Sequence, residues 1–484
     1  MGLVGILVAL GLLIWLSFRG WSVLLLAPAA AIVAAAFAGE PLLAHWTQTF
    51  MGGAAQFIAQ FFPLFLLGAL FGKLMDDSGS VHAIAQFMST KLGARRAILA
   101  VVLAGAIVTY GGVSLFVAFF VLAPMAREMF RVADIPHRLM PAAIALGTST
   151  FTMSAMPGTP AIQNTIPMPF FGTTPFAAPG LGIIAAAIML AFGLWWLRRA
   201  EESARKTGEG YGGDAGLVSG AVADDQFIRE RATSSHEFDP AEIAHGKRGD
   251  VPPPIGTAIV PLLVVVGVNL LMSLLILPRV DFSFLAQERW GGTSLAGVAG
   301  VWSVAVALAA ATATLIALNR ARLTDLRASM DAGANASVLP IFSVASLVGF
   351  GAVVAALPAF ALVRDWMLSI SGGPLVSLAI ATNILAALTG SASGGLTIAL
   401  DALGDTYLQI AQTAHIDPGL MHRVAVIGSG TLDSLPHNGA VVTLLAVCGS
   451  THRKSYFDMV MANIVGPIIA LAIVIALGSV LGSF

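Results

Sequence analysis

The sequence predicts an all-α protein that crosses a membrane many times, built as two repeats inserted with opposite orientation. Three observations carry that expectation. The first is composition: 57% of the 484 residues are hydrophobic and only 11% are charged, where a soluble domain carries about 25% charged residues. The 51 glycines suit helices packed closely together in lipid. The second is the number of apolar runs that approach the roughly 20 residues needed to cross hydrocarbon. The third is a polar, helix-breaking stretch that occurs in each half at a corresponding place, residues 147–160 and 428–439. Such sequence is tolerated at membrane depth only where it is buried in protein or lines a watery cavity.

Taken in order, the first half offers spans near 2–18, 22–39, 54–73, 139–160 and 178–197. The opening run has no basic residue before it and no cleavage site after it, so it reads as a first span and not a removable signal peptide. Residues 97–126, held between Arg95-Arg96 and Arg127, carry Thr109-Tyr110-Gly111-Gly112-Val113-Ser114 at their centre. Each arm makes only about 20 Å of helix at 1.5 Å per residue, too short for a core of about 30 Å. A re-entrant hairpin fits better. The second half repeats the plan, with spans near 255–278, 294–318, 338–361, 424–447 and 457–482 and a hairpin at 375–400 tipped by Thr389-Gly390-Ser391-Ala392-Ser393-Gly394-Gly395.

Between the halves, 198–254 is polar, mixed in charge and closed by Pro252-Pro253-Pro254, a composition that favours a mostly disordered linker. Its charged start extends the preceding helix by a turn or two. His236 and His245 fall in this segment and read as solvated. The expected division is therefore a first repeat at 1–197, a cytoplasmic linker at 198–254 and a second repeat at 255–484.

The repeat is visible in detail. Residues 133–140 lead to Gly147 as 414–421 lead to Gly428, with the same spacing from Met140 and Met421. Five spans and a hairpin per half is an odd number of crossings, so the halves insert oppositely, a familiar transporter plan. With the N-terminus outside, all of the 25 basic residues except Arg279, Arg289, Arg364 and Arg423 fall on the cytoplasmic side, as the positive-inside rule requires. Both termini are then periplasmic.

The breaks and tips hold the chemistry. Pro157, Gly158 and Pro160 interrupt the span at 139–160, with Thr159 as a cap for the restart; Pro436, Asn438 and Gly439 do the same in the second half. Helix N-termini that converge on one point make an anion site. No lysine or arginine lies in these segments. A carboxylate substrate is then expected to be held by backbone amides and small polar groups at Gly111, Gly112, Ser114, Thr148, Ser149, Thr152, Ser154, Ser393, Gly394, Ser429, Thr431, Ser434 and Asn438. The plainer reading of any one hydroxyl is helix packing; the four clusters together favour a site.

Asp433 and His437 are the sharpest single residues. An aspartate at the centre of a span costs about 2.5–3.5 kcal/mol on insertion scales, so it marks a function by default. Asp433 is expected to couple transport to a proton, with His437 as relay or ligand. The structural alternative is that Asp433 caps the restarted helix.

Other classes are excluded or disfavoured. A net charge of −1 leaves no basic face for nucleic acid. The lone Cys448 permits no disulfide and no cysteine-based metal or iron–sulfur cluster. No G-x-x-x-x-G-K-[ST] phosphate loop is present, and the histidines lack ligand or catalytic spacing. No enzyme activity, cofactor or metal is expected. Sodium remains open as coupling ion, because carbonyls and hydroxyls at the same breaks can hold it.

At 109–114, 151–164 and 428–439 the chain resembles the gluconate permease (GntP-type) family of the ion-transporter superfamily, over nearly its whole length outside the central loop. The subgroup it is most similar to is often labelled a D-beta-hydroxybutyrate permease. The resemblance implies proton-coupled uptake of gluconate or a related hydroxy-monocarboxylate across a bacterial inner membrane. The superfamily implies paired hairpins, a dimer formed through a scaffold and elevator-type movement. The long polar central loop departs from the compact family pattern.

Overall fold

The computed structural model describes residues 1–19, 21–213, 252–436 and 438–484. His437 and 214–251 lie outside the described residues, and with them the expected relay and most of the linker, including His236 and His245. Every regular element among the described residues is helical.

Six helices are long and apolar enough to cross a membrane: Leu42–Asp77, Pro179–Thr207, Ile255–Arg279, Glu288–Asn319, Leu326–Ala356 and His452–Leu481. Each contains or overlaps an expected span. Gly2–Phe18 and Val23–Ala38 are apolar throughout but have only 17 and 16 residues, about 24–26 Å of helix. The two remaining expected spans are broken. One is Met140–Thr148 followed by Phe151–Ser154, the other Pro418–Ser429, a turn at Leu432–Ser434 and Gly439–Cys448. The hairpins pair Ala97–Tyr110 with Leu115–Val132 and Pro374–Thr389 with Ala392–Thr413. A short helix before each hairpin, Ser80–Leu92 and Phe360–Leu368, was not expected; Ser80–Leu92 meets the first hairpin at a bend of 104°, which Gly93 permits with φ 67°.

Both halves run through the same succession of a helix pair, a long helix, a short helix, a hairpin, a broken helix and a closing helix. The repeat reaches single dihedrals. Asp134 and His415, at equivalent positions before the broken helices, have left-handed φ of 51° and 54°, unusual for non-glycine residues. The next amide closes the same turn in each, Ile135 N to Phe130 O at 2.9 Å and Ile416 N to Ala411 O at 2.8 Å.

The equivalent glycines also have equivalent work. A Cβ on Gly147 would lie 2.3 Å from Val102 O in the first hairpin, and one on Gly428 would lie 2.4 Å from Thr382 Oγ1 in the second. Each broken helix thus rests closely on the first arm of its own hairpin, the first against main chain and the second against the Thr382 side chain. Gly147→Val meets main chain, which cannot swing aside, and is expected to lower stability by about 1–3 kcal/mol or more. Thermal unfolding of the solubilised protein checks this, and an unchanged melting temperature refutes the contact. Away from the hairpins, Leu42–Asp77 packs along Leu326–Ala356, Gly53 against Ala352 and Gly333 against Leu70.

Pro179–Thr207 runs past residue 197 into the charged start of the linker, and the chain beyond it is docked. Glu209 pairs with Arg138 at 2.8 Å, and Tyr211 N donates to Asp134 Oδ1 at 2.8 Å. Arg138 also pairs with Asp458, which accepts from Trp196 Nε1 at 3.0 Å. The first residues assigned to the linker are therefore part of the folded body. Lys73, expected on the cytoplasmic side, is 1% exposed within Leu42–Asp77 and pairs with Asp77 at 2.9 Å. Arg423, expected on the outer side, is 0% exposed. Both are enclosed by protein and lie in helices that extend past the spans hydropathy marks.

Candidate functional site

The first break begins after Ser154. Gly158 has φ 79°, and a Cβ there would lie 2.5 Å from the Phe176 ring. Tyr110 OH donates to Pro157 O at 2.8 Å, and Asn269 Nδ2 donates to Gly158 O at 3.0 Å. These bonds satisfy carbonyls that the missing helix leaves open. Thr159 Oγ1 accepts from Ala161 N at 3.3 Å, and the helix restarts at Ile162 with Ala161 as its N-cap. Thr159 thus holds the turn that precedes the restart.

The second break has a different lock. Asn438 Oδ1 accepts from Ala440 N at 2.7 Å and Val441 N at 3.1 Å, while its Nδ2 donates to Gly390 O at 2.7 Å. One side chain therefore caps Gly439–Cys448 and ties it to the tip of the second hairpin. The cap is Asn438, so the alternative role for Asp433 as cap of that helix falls. Both hairpin tips use a serine in the same way: Ser114 Oγ accepts from Phe116 N at 3.3 Å and Ser391 Oγ from Gly394 N at 3.1 Å. The two breaks touch where a Cβ on Gly430 would lie 3.0 Å from Ser154 Cβ.

Two adjoining cavities lie among these parts and share Leu115, Met153 and Gln163. The larger has about 200 Å³ of free space. Thr109, Gly112, Ser114, Pro160, Gln163 and Ser393 line one side, and Leu64, Phe65, Ser337 and Pro340 of the two long helices line the other. The smaller has about 30 Å³ and is lined by Ser149, Ser154, Gln163, Asp433, Ser434, Asn438 and Asn463 among others. No lysine or arginine lines either.

Of the residues singled out from sequence, Gly112, Ser114 and Ser393 line the larger cavity, and Ser149, Ser154, Asp433, Ser434 and Asn438 the smaller. The other described ones stand behind the wall. Thr148 Oγ1 donates to Ile144 O at 2.8 Å, Thr152 Oγ1 to Gly147 O at 3.2 Å and Ser429 Oγ to Val426 O at 2.9 Å. Thr431 Oγ1 bonds Gly428 O at 2.9 Å and also Asn383. Gly111 and Gly394 give room to Leu262 and Leu347. These are the packing roles open to small residues in membrane helices.

Two lining amides were not singled out. Gln163 stands in the 151–164 motif but was passed over beside the hydroxyls. Asn463 sits in a turn of π-helix, Met461–Val465, inside the last span, a geometry that recurs at functional sites. Its one sequence signal is an amide in an apolar run.

Behind the first break lies a buried polar knot. Arg423, His422 and Asn164 are each 0% exposed. Arg423 donates to Ala177 O at 2.7 Å and to Asn164 Oδ1 at 3.3 Å, and makes no ion pair among the described residues. His422 Nε2 bonds the same Asn164 Oδ1 at 3.2 Å, and its Nδ1 bonds Thr173 Oγ1 at 2.6 Å. Asn164 Nδ2 donates to Thr159 O and Pro175 O, both at 3.0 Å. Residues of the second repeat thus fix the loop that leads into the helical turn carrying Gln163.

Comparison with known proteins agrees with this architecture. A family model described as GntP family permease matches residues 1–177. The uncharacterized transporter YxjC of Bacillus subtilis is 42% identical over 466 residues, 95% of each chain. The high-affinity gluconate transporter of Escherichia coli is 33% identical over 121 residues, 24% of this chain and 26% of that one. Among solved structures, MtrF of Neisseria gonorrhoeae, presented as an antimetabolite efflux pump, superposes with a TM-score of 0.52 at 14% identity over 90% of this chain and 85% of its own. The YdaH transporter of Alcanivorax borkumensis gives 0.50 at 15% identity over 90% and 88%. At those identities the likeness is one of fold. The full-length match to YxjC and the family model together establish that this multi-pass membrane protein is a transporter of the GntP permease family.

Proposed function

We propose that the chain is a secondary active carrier that takes up a small hydroxy-monocarboxylate, such as gluconate or D-3-hydroxybutyrate, with a proton across a bacterial inner membrane. The observation that carries this reading is the larger cavity. The start of Leu115–Val132, the start of Ala392–Thr413 and the restart at Ile162 all face it through Ser114, Ser393 and Gln163. First-turn amides there are donors without helical partners, and they favour an anion. Hydroxyl and amide side chains beside them suit the hydroxyls of the substrate. With no cation in the wall, the carboxylate is held without a strong ion pair and is released readily. The segment shared with the gluconate transporter supports the substrate class.

Asp433, in the adjoining cavity, is the proton carrier in this reading, and the halves are oppositely inserted, with both termini periplasmic. The divide between the repeats then lies after the docked segment, in place of residue 197. The test is uptake of labelled gluconate and D-3-hydroxybutyrate by proteoliposomes holding the purified protein. An inward proton gradient is expected to drive accumulation of at least one acid above its external concentration, abolished by a protonophore. Absence of accumulation of either acid under that gradient would reject the reading.

A further inference from the structure

We infer that His452 and Tyr456, at the start of the last span, position the turn that carries Asp433 and serve proton coupling without serving substrate binding. The inference rests on the reading of Asp433 as the proton carrier and names the groups that hold its turn in place.

The second break leaves carbonyls that no helix satisfies, and two of them lie just after Asp433. Tyr456 OH donates to Ser434 O at 3.1 Å, and His452 Nε2 donates to Pro436 O at 2.8 Å. The two donors stand one helical turn apart on one face of His452–Val460, with ring centroids 5.7 Å apart. That face grips the chain on both sides of Leu435, directly after the turn Leu432–Ser434.

A different body holds the same segment from its other side. Thr431 Oγ1 bonds Asn383, and Asn438 Nδ2 donates to Gly390 O at 2.7 Å. Asn383 lies in the first arm of the second hairpin and Gly390 at its tip. Asp433 therefore sits on a bridge between that hairpin and the last span. The last span is in turn fixed to the first repeat, since Asp458 pairs with Arg138 and accepts from Trp196 Nε1 at 3.0 Å. A shift of the hairpin against the span is felt at the turn that holds the carboxylate. This links movement of the carrier to the placement of its proton.

Stability does not account for the two bonds. His452 and Pro436 are exposed, at the end of the span that carries Arg453 and Lys454. A carbonyl within reach of water needs no protein donor, and exchanging one partner for the other changes stability little. The first break differs. Asn269, which holds Gly158 O, is 0% exposed, so losing that donor strands a buried oxygen. A bond that adds little stability still selects one orientation of the turn, and orientation is what a proton carrier needs.

The test compares, in proteoliposomes, accumulation under an inward proton gradient with counterflow of preloaded substrate, which moves no net proton. His452→Leu and Tyr456→Phe are each expected to lower accumulation several-fold, while counterflow and the melting temperature stay near wild type. His452→Gln places an amide donor where Nε2 stood and is expected to restore accumulation. A defect of fold or of substrate binding would lower counterflow equally. Wild-type accumulation in both His452→Leu and Tyr456→Phe overturns the inference, and so does an equal loss of counterflow. Failure of His452→Gln to improve on His452→Leu overturns it as well. If His452→Leu does not fold, Tyr456→Phe, which deletes one oxygen and keeps the ring, decides by the same comparison. Asp433→Asn run alongside separates the two claims. If it is defective while the His452 and Tyr456 variants are normal, the positioning role alone falls. Normal accumulation by Asp433→Asn, or none by the unaltered protein, removes the reading beneath the inference and the inference with it.

Discussion

Asp433→Asn is expected to abolish concentrative uptake while leaving exchange of preloaded substrate measurable. The two side chains have nearly the same shape, and asparagine keeps an Oδ1 to accept from Ser434 Oγ, as Asp433 does at 3.2 Å. The helix that follows is capped by Asn438, so its start does not depend on the carboxylate. What the substitution removes is the ability to carry a proton in one state and release it in the other. A pH difference of one unit is worth about 1.4 kcal/mol per proton, enough for about tenfold accumulation, and that driving force is lost in full. Exchange needs only the loaded carrier to move in both directions, so it persists. The measurements are accumulation under an imposed pH gradient and counterflow of labelled substrate, with a melting curve alongside. Normal accumulation by Asp433→Asn would show that the proton travels elsewhere.

How far the sequence foretold this molecule depends on the scale at which each feature is encoded. The turns at the two Gly/Ser tips, the two breaks and the repeat were legible because each is written locally. Proline with glycine cannot continue a helix, whereas the second arms, Leu115–Val132 and Ala392–Thr413, run past the ends at 126 and 400 expected from hydropathy. The spacing from Met140 to Gly147 recurs from Met421 to Gly428. The division of the hydroxyls between cavity and wall was not legible. Thr148 and Ser149 are neighbours in sequence and chemistry, yet Ser149 lines the smaller cavity and Thr148 is packed behind it. Only the rotation of the helix about its axis separates them, and packing against the hairpin sets that rotation. Asn463 was hidden for a similar reason, since a π-turn shifts the face of a helix without a mark in the hydropathy. Charges hid the extent of helices: Lys73 and Arg423 look like span ends in one dimension, yet both are buried within helices that run on past them.

Arg423 leads to the second large effect, in which Asn164→Leu is expected to destabilise the protein by about 3–5 kcal/mol, the range for removing one partner from a buried charged group. Leucine is close to asparagine in size, so cavity formation contributes little. The loss comes from polar groups left alone. Asn164 Oδ1 accepts from Arg423 Nη1 and bonds His422 Nε2, and Nδ2 satisfies Thr159 O and Pro175 O. Removing the amide strands two donors, one of them charged, and the carbonyl of Thr159, all away from water, while Pro175 O keeps its bond from Gly158 N at 2.9 Å. A hydrogen bond to a charged group alone contributes about 1.5–3 kcal/mol.

Asn164→Asp separates this account from a simple demand for shape. The aspartate keeps an acceptor and gives Arg423 the carboxylate it lacks, but it loses both donated bonds. It is expected to fall between wild type and Asn164→Leu in thermal unfolding. Uptake should fall more steeply than stability across the series, because the loop being loosened leads into the helical turn carrying Gln163, which faces both cavities. Equal melting temperatures for all three proteins would mean that the knot is dispensable. A loss of stability without loss of uptake by the folded fraction would mean that it holds the fold together without positioning Gln163.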